Sequence, residues 1–228
     1  KGESLLATAK TMEVMGADVV VIRHSAPGAA KFLAENISAS VLNAGDGAHA
    51  HPTQALLDIY SIKEKLGQVA GLKVLIVGDI AHSRVARSNI WGLNKLGAEV
   101  AVAGPQTLIP REIEKMGVKV YSDLDQALEN VDVVNILRIQ MERQESGLFP
   151  SIREYREIYG MNAERLERIG KKAMIMHPGP MNRGIEIESS VADSPQSVIT
   201  EQVKNGVAIR MALLYLLAGR EIDNENLN

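Results

Sequence analysis

An α/β fold built on parallel strands is what this sequence predicts, on three observations. Seven short runs rich in Val and Ile recur along the chain, at 19–22, 41–43, 73–77, 100–103, 119–121, 131–134 and 174–176. They are continuously apolar rather than alternating, the pattern of strands covered on both faces. Between several of them lie segments of helical periodicity that stop at a glycine.

The helices take their bounds from local chemistry. Residues 3–15 place Leu5, Leu6, Ala9 and Met12 on one face and end at Gly16. Residues 52–66 begin with Pro52 at the first helical position and are followed by Gly67. Residues 83–96 end at Gly97, and residues 200–217 carry Val203, Val207, Met211 and Leu214 on one stripe before Gly219. The stretch 67–71, with a glycine at each end, predicts a boundary. It sets residues 1–66 apart from a five-strand unit over 67–199, with 200–219 as a closing helix and 221–228 as a polar tail.

Composition narrows the function. The 228 residues carry a net charge of −3 and 46% hydrophobic residues, so a sizeable core is expected and no large positive field is available for nucleic acid or an acidic membrane surface. With no cysteine, disulfides and thiolate metal sites are excluded, and a reducing, cytoplasmic location is expected. No apolar run reaches membrane-spanning length, and no signal peptide precedes the first strand. The chain opens on Lys1-Gly2-Glu3 rather than Met, so its true start is expected upstream.

Four segments carry chemistry. The run from Asn43 to Gln54 ends a strand, turns through Gly45 and Gly47, and starts a helix at Pro52 with His51 at the cap. A helix start offers free backbone N–H groups and a partial positive charge, and anions bind there. Read alone, it is a capped helix in which Gln54 helps to satisfy backbone donors. The run Gly78 to Ser88 also joins strand to helix, but Asp79, His82, Ser83 and Arg84 stand where a dinucleotide loop needs glycines. Arg84 at a helix start opposes the macrodipole, which calls for an anionic ligand or a carboxylate such as Asp79. In the third segment a buried strand runs into Arg138, with Gln140 on the same side if the extended backbone continues; Glu142 and Arg143 read as structural ion pairing. Guanidinium groups grip carboxylates through paired hydrogen bonds, so Arg84 and Arg138 at two strand ends suit a dicarboxylate. In the fourth, His177-Pro178-Gly179-Pro180 forms a rigid turn suited to a cis bond before Pro180 and to presenting carbonyls to an N–H₂ group. Arg23 follows the first strand, and Lys1 stands as a cation at the chain's start. His24, His49 and His82 have no spacing that forms a metal site, so no metal is expected.

Together these segments resemble the aspartate/ornithine carbamoyltransferase family. The matching elements are Lys1-Gly2-Glu3, Ile22-Arg23-His24, the run Leu42 to Asp58, Gly78 to Ser88, Arg138 to Arg143 and His177 to Pro180, in family order and over nearly the whole chain. The resemblance implies two doubly wound parallel-sheet domains, the first incomplete at its N-terminus, and a C-terminal helix that returns to the first domain. It implies that Arg23, His51 and Gln54 hold carbamoyl phosphate, that backbone groups of Gly179 and Pro180 contact its amide, and that Arg84 and Arg138, supported by Gln140, hold the carboxylates of L-aspartate. Arg23 and His51 would be the catalytic donors. Lys1 would reach a neighbouring subunit's site in a homotrimer, and no cofactor is implied. The product would be N-carbamoyl-L-aspartate, a pyrimidine precursor, with dihydroorotase or regulatory chains as possible partners. The family's phosphate-gripping Ser-Thr-Arg-Thr loop would lie upstream of Lys1. Gly179 stands where many relatives carry leucine or alanine, a change a backbone contact tolerates. Ornithine as acceptor, or an inactive scaffold binding a pathway partner, are the alternative readings. Against ornithine stand the His-Pro-Gly-Pro turn, the missing cysteine and the two arginines.

Overall fold

A computed structural model describes residues 2–139 and 151–218; Lys1, Gln140, Glu142, Arg143 and the tail 221–228 lie outside the described residues. The first part runs α1 (Leu5–Val14), β1 (Val19–His24), α2 (Ala29–Ala34), β2 (Ser40–Asp46) and α3 (Pro52–Leu66). The second runs β3 (Lys73–Val77), α4 (Arg84–Lys95), β4 (Glu99–Ala103), β5 (Lys119–Tyr121), α5 (Leu124–Ala127), β6 (Val133–Ile136), α6 (Ile152–Tyr159), α7 (Ala163–Arg168), β7 (Met174–Met176), α8 (Ser189–Ala192) and α9 (Ile199–Leu217). All seven apolar runs form strands, the sixth displaced two residues towards its carboxyl end. The short helices α2 and α5 to α8, four to eight residues each, span too few turns to show a period.

β3 to β7 form one parallel sheet in the order β5-β4-β3-β6-β7. The chain fills one side of β3 and then crosses to the other at β6. In doubly wound sheets the crevice at this switch point, beyond the carboxyl ends of the strands, is where ligands bind. The sheet is packed on both faces. Val74 and Ile76 join Ile90 and Leu93 of α4 on one side; Leu75 and Val77 join Leu124, Tyr155 and Tyr159 on the other. Each such fully buried aliphatic side chain contributes about 1.5–3 kcal/mol of burial free energy.

β1 and β2 form a separate parallel pair. Between Ile22↔Asn43 and His24↔Asp46, β2 carries one residue more than β1, and Arg23 sits at that irregularity. The core here is small: Ala9, Ile22, Ala29, Ala30 and Leu33. Val21 is 55% exposed.

The closing helix α9 lies along α3. Its apolar stripe is not the face that does so. Val203 is 71% exposed, and Val207, Met211 and Leu214 are also exposed, whereas Gln202, Asn205 and Gly206 are buried. The cause is on α3, which buries Asp58 and Ser61. Buried polar groups require partners. Gln202 Nε2 donates to Asp58 at 2.8 Å, and Asn205 Nδ2 donates to Ser61 Oγ at 3.0 Å and to Glu64 at 2.8 Å. Gly206 permits the close approach, since a Cβ there would lie 3.2 Å from Leu57.

Candidate active site

A cavity of about 360 Å³ opens where the carboxyl ends of both sheets meet α9. Arg23, His51, Gln54, Arg84, Arg138, Gly179 and Pro180 all line it. Lys1 and Gln140, the other two residues singled out in the sequence, lie outside the described residues. A larger groove of about 540 Å³ runs between α3 and α4 past Leu56, Ile59 and Trp91. Its walls are mainly apolar, so anion chemistry selects the smaller, arginine-lined cavity.

The loop between β2 and α3 is knitted around Asp46. Its carboxylate accepts from Asn43 Nδ2 (3.1 Å), Ala50 N (3.1 Å) and Gly28 N (2.6 Å), and lies 3.0 Å from His49 Nδ1. Burial opposes its ionisation, but the bonds from Asn43, Gly28 and His49 outweigh that and hold the carboxyl below the usual range. Gly45, at φ +120°, lets the backbone pass against Arg84: a Cβ there would lie 2.8 Å from the guanidinium carbon. Gly47, at φ +50°, is hemmed by the Ser25 carbonyl in the same way.

His51 caps α3 without a side-chain capping bond, and its backbone N–H donates to Ser88 Oγ of α4 at 2.9 Å. Its Nδ1 lies 3.3 Å from the Thr53 hydroxyl. A Thr53 hydroxyl donating there would place the ring proton on Nε2. Burial, followed by the charges of Arg84, Arg23 and Arg210, lowers its pKa to about 4. The ring is therefore neutral near pH 7, with one nitrogen a donor and the other an acceptor.

Gln54 does not satisfy backbone donors at the helix start. Its Nε2 donates to Asp58 one turn later, at 3.0 Å. Arg84 follows Ser83, whose Oγ caps α4 by accepting from Ala86 N at 3.0 Å. Asp79, proposed above as a possible counter-charge for Arg84, accepts instead from the His82 backbone and lies 3.0 Å from its ring. Arg84 reaches back to the Gly47 carbonyl at 3.3 Å, tying the two chemistry-bearing loops together. Arg138 enters from the carboxyl end of β6. In the fourth segment the Gly179–Pro180 bond is cis. Gly179 donates to His177 Nδ1 at 2.9 Å, so the His177 proton resides on Nε2, which donates to Glu186 at 3.2 Å. No atom lies within 4 Å of a Cβ built on Gly179, so a side chain fits, although its φ of +64° favours glycine.

Sequence reasoning missed Arg210. It sits on α9, donates to the Gly206 carbonyl at 2.9 Å and lines the cavity as a fourth guanidinium. Its one signal was an arginine a turn after a glycine on a helix treated only as packing. No acidic residue is found among the described residues lining the cavity.

Two family models match the chain: the carbamoyl-P binding domain of aspartate/ornithine carbamoyltransferases over residues 1–64, and their Asp/Orn binding domain over residues 70–217. The chain belongs to the aspartate/ornithine carbamoyltransferase family. It is 79% identical over 227 residues to the aspartate carbamoyltransferase catalytic subunit of Halothermothrix orenii, covering all of this chain and 72% of that one. Among solved structures, it resembles Trypanosoma cruzi aspartate transcarbamoylase bound to N-(phosphonacetyl)-L-aspartic acid, with TM-score 0.81 and 30% identity over 94% of this chain and 70% of that one. It also resembles ornithine carbamoyltransferase from Pyrococcus furiosus, with TM-score 0.83 and 29% identity over 97% and 73%. Backbone shape alone does not separate the two.

Proposed function

We propose that this chain transfers the carbamoyl group of carbamoyl phosphate to the amine of L-aspartate, giving N-carbamoyl-L-aspartate and phosphate for pyrimidine synthesis. The observation that carries this reading is the cavity's charge. Arg23, Arg84, Arg138 and Arg210 surround a neutral histidine, with no acidic residue among the described lining. A dianionic phosphate and a dicarboxylate suit that field. Among the described residues, the cationic side chain of ornithine finds no counter-charge there.

Arg23 and His51 Nε2–H donate to the carbamoyl oxygen as the aspartate nitrogen attacks the carbonyl carbon and charge collects on that oxygen. Gln54 and the turn at Gly179 and Pro180 hold the amide. Arg84 and Arg138 grip the two carboxylates, with Gln140 behind them. The carbon–oxygen bond to phosphate then breaks, and the nitrogen's proton leaves with the phosphate. Holding two anions in one arginine-lined cavity removes much of the entropic barrier to their meeting. A homotrimer with Lys1 reaching a neighbouring site, in the cytoplasm, is the assembly we assign.

Measuring carbamoyl transfer to aspartate and to ornithine side by side tests the reading. Aspartate is expected to be preferred by about 10⁴ or more in kcat/KM, the discrimination that unpaired buried polar groups impose. Comparable turnover of ornithine would overturn it.

A further inference from the structure

Asp58 is not among the cavity's lining residues, yet it is a buried carboxylate on which three helices meet. It is 1% exposed and receives hydrogen bonds from α3, α4 and α9. Gln54 Nε2 of α3 donates at 3.0 Å, Gln202 Nε2 of α9 at 2.8 Å and Asn89 Nδ2 of α4 at 2.7 Å. All three partners are carboxamides. Burial raises the Asp58 pKa to about 6 against the pull of these bonds, so the group is ionised at pH 8.

An ionised carboxylate only accepts. It therefore dictates which end of each carboxamide faces it. For Gln54 the nitrogen must turn to Asp58, which leaves the oxygen on the cavity side. The effect continues through Gln202. With its nitrogen held by Asp58, its oxygen accepts from the His177 backbone N–H at 3.0 Å, and His177 Nδ1 accepts from Gly179 N at 2.9 Å. One buried charge thus orders both the Gln54 wall and the Gly179–Pro180 wall of the cavity.

We propose that Asp58 is a positioning residue for the amide of the carbamoyl donor. Through Gln54 and through the Gln202–His177 relay, it makes the cavity present acceptors to an N–H₂ group and so distinguishes a carbamoyl from an acetyl phosphate. This rests on the carbamoyl-transfer reading above. It extends that reading to a residue that touches no substrate.

The test is to measure, at pH 8, the binding of carbamoyl phosphate and of acetyl phosphate to the full chain in its native assembly. Acetyl phosphate matches the donor but carries a methyl group in place of the amine. In Asp58→Leu no acceptor faces the Gln54 nitrogen to hold it away from the cavity, and the Gln202 nitrogen loses its anchor. The preference for carbamoyl over acetyl phosphate should fall at least about tenfold, the size of a buried hydrogen bond lost with its partner left unpaired. Acetyl phosphate affinity should change by less than about threefold. Gln202→Leu leaves Asp58 against Gln54 but breaks the relay to His177. It should lower the preference by a smaller factor, and it serves as the test if Asp58→Leu does not fold. An equal loss for both ligands would reduce Asp58 to a structural role, and an unchanged preference in Asp58→Leu, or in Gln202→Leu where Asp58→Leu does not fold, would overturn the proposal. If the unsubstituted chain fails to bind carbamoyl phosphate, the function assigned above falls and the proposal with it. If it binds and only the ratio refuses to move, the proposal alone falls.

Discussion

In the five-stranded sheet, Val74, Leu75, Ile76 and Val77 of the central strand are all but inaccessible, while in the two-stranded sheet Val21 lies open and the core shrinks to five small or medium side chains. Among the described residues, burial holds the larger region, while directional bonds hold the site-bearing part of the smaller one: Asp46 gathers its loop, Asp58 gathers α3, α4 and α9, and Ser88 reaches from α4 to hold the backbone of His51. The smaller region supplies Arg23, His51 and Gln54, the groups assigned to the reacting carbonyl. Precision in placing a donor comes from directional bonds, which burial does not provide.

This contrast can be broken by substitution. The largest effect is expected in the larger region: Ile76→Ala should lower unfolding free energy by about 2–5 kcal/mol in denaturant titration, with turnover per folded molecule unchanged. A kinetic defect in the folded fraction would show that its core shapes the site directly. Next comes His51→Ala, which should lower kcat by about 10²–10³, as loss of one oxyanion donor does, with little shift in the melting curve. A milder variant sharpens the seam between the regions. Gly45→Ala pushes a Cβ into the Arg84 guanidinium and should raise the KM for aspartate about tenfold while sparing that for carbamoyl phosphate. Equal rises would mean that Gly45 serves the loop rather than Arg84.

The smallest effect is a slope. His51 titrates at about 4 in the folded chain and near 6.5 when unfolded, so the unfolded chain binds more protons between those values. The stability this gives is full above pH 6.5 and is lost as pH falls towards 4. In His51→Gln the unfolding free energy should vary less with pH across that window, as read by chemical denaturation at stepped pH.

How much of this was legible in the sequence follows from the same contrast. Pro52 and Gly67 marked both ends of α3, and the run at 73–77 marked β3, because those signals are local. Seven cavity residues were legible because each stands at a strand's carboxyl end or in the turn that follows. The orientation of α9 was not. Periodicity showed that Val203, Val207, Met211 and Leu214 share a face, but which face packs is decided by Asp58 and Ser61, which meet Gln202 and Asn205 across 144 residues of chain. Arg210 was hidden for the same reason. Asp58 itself lay inside a matched motif, but its role depends on carboxamides from two other elements, α4 and α9.

The central claim is that one site is built from both regions, with arginines from the larger region and from α9 helping to keep the histidine of the smaller one neutral and donating through Nε2. Nitrogen-15 NMR of labelled histidines, followed through a pH titration in the unsubstituted chain and in Arg84→Ala, tests it most directly. The account predicts a His51 midpoint near 4 with the proton on Nε2, and a higher midpoint in Arg84→Ala. A midpoint near 6.5 in both proteins, or a neutral ring protonated on Nδ1, would contradict it.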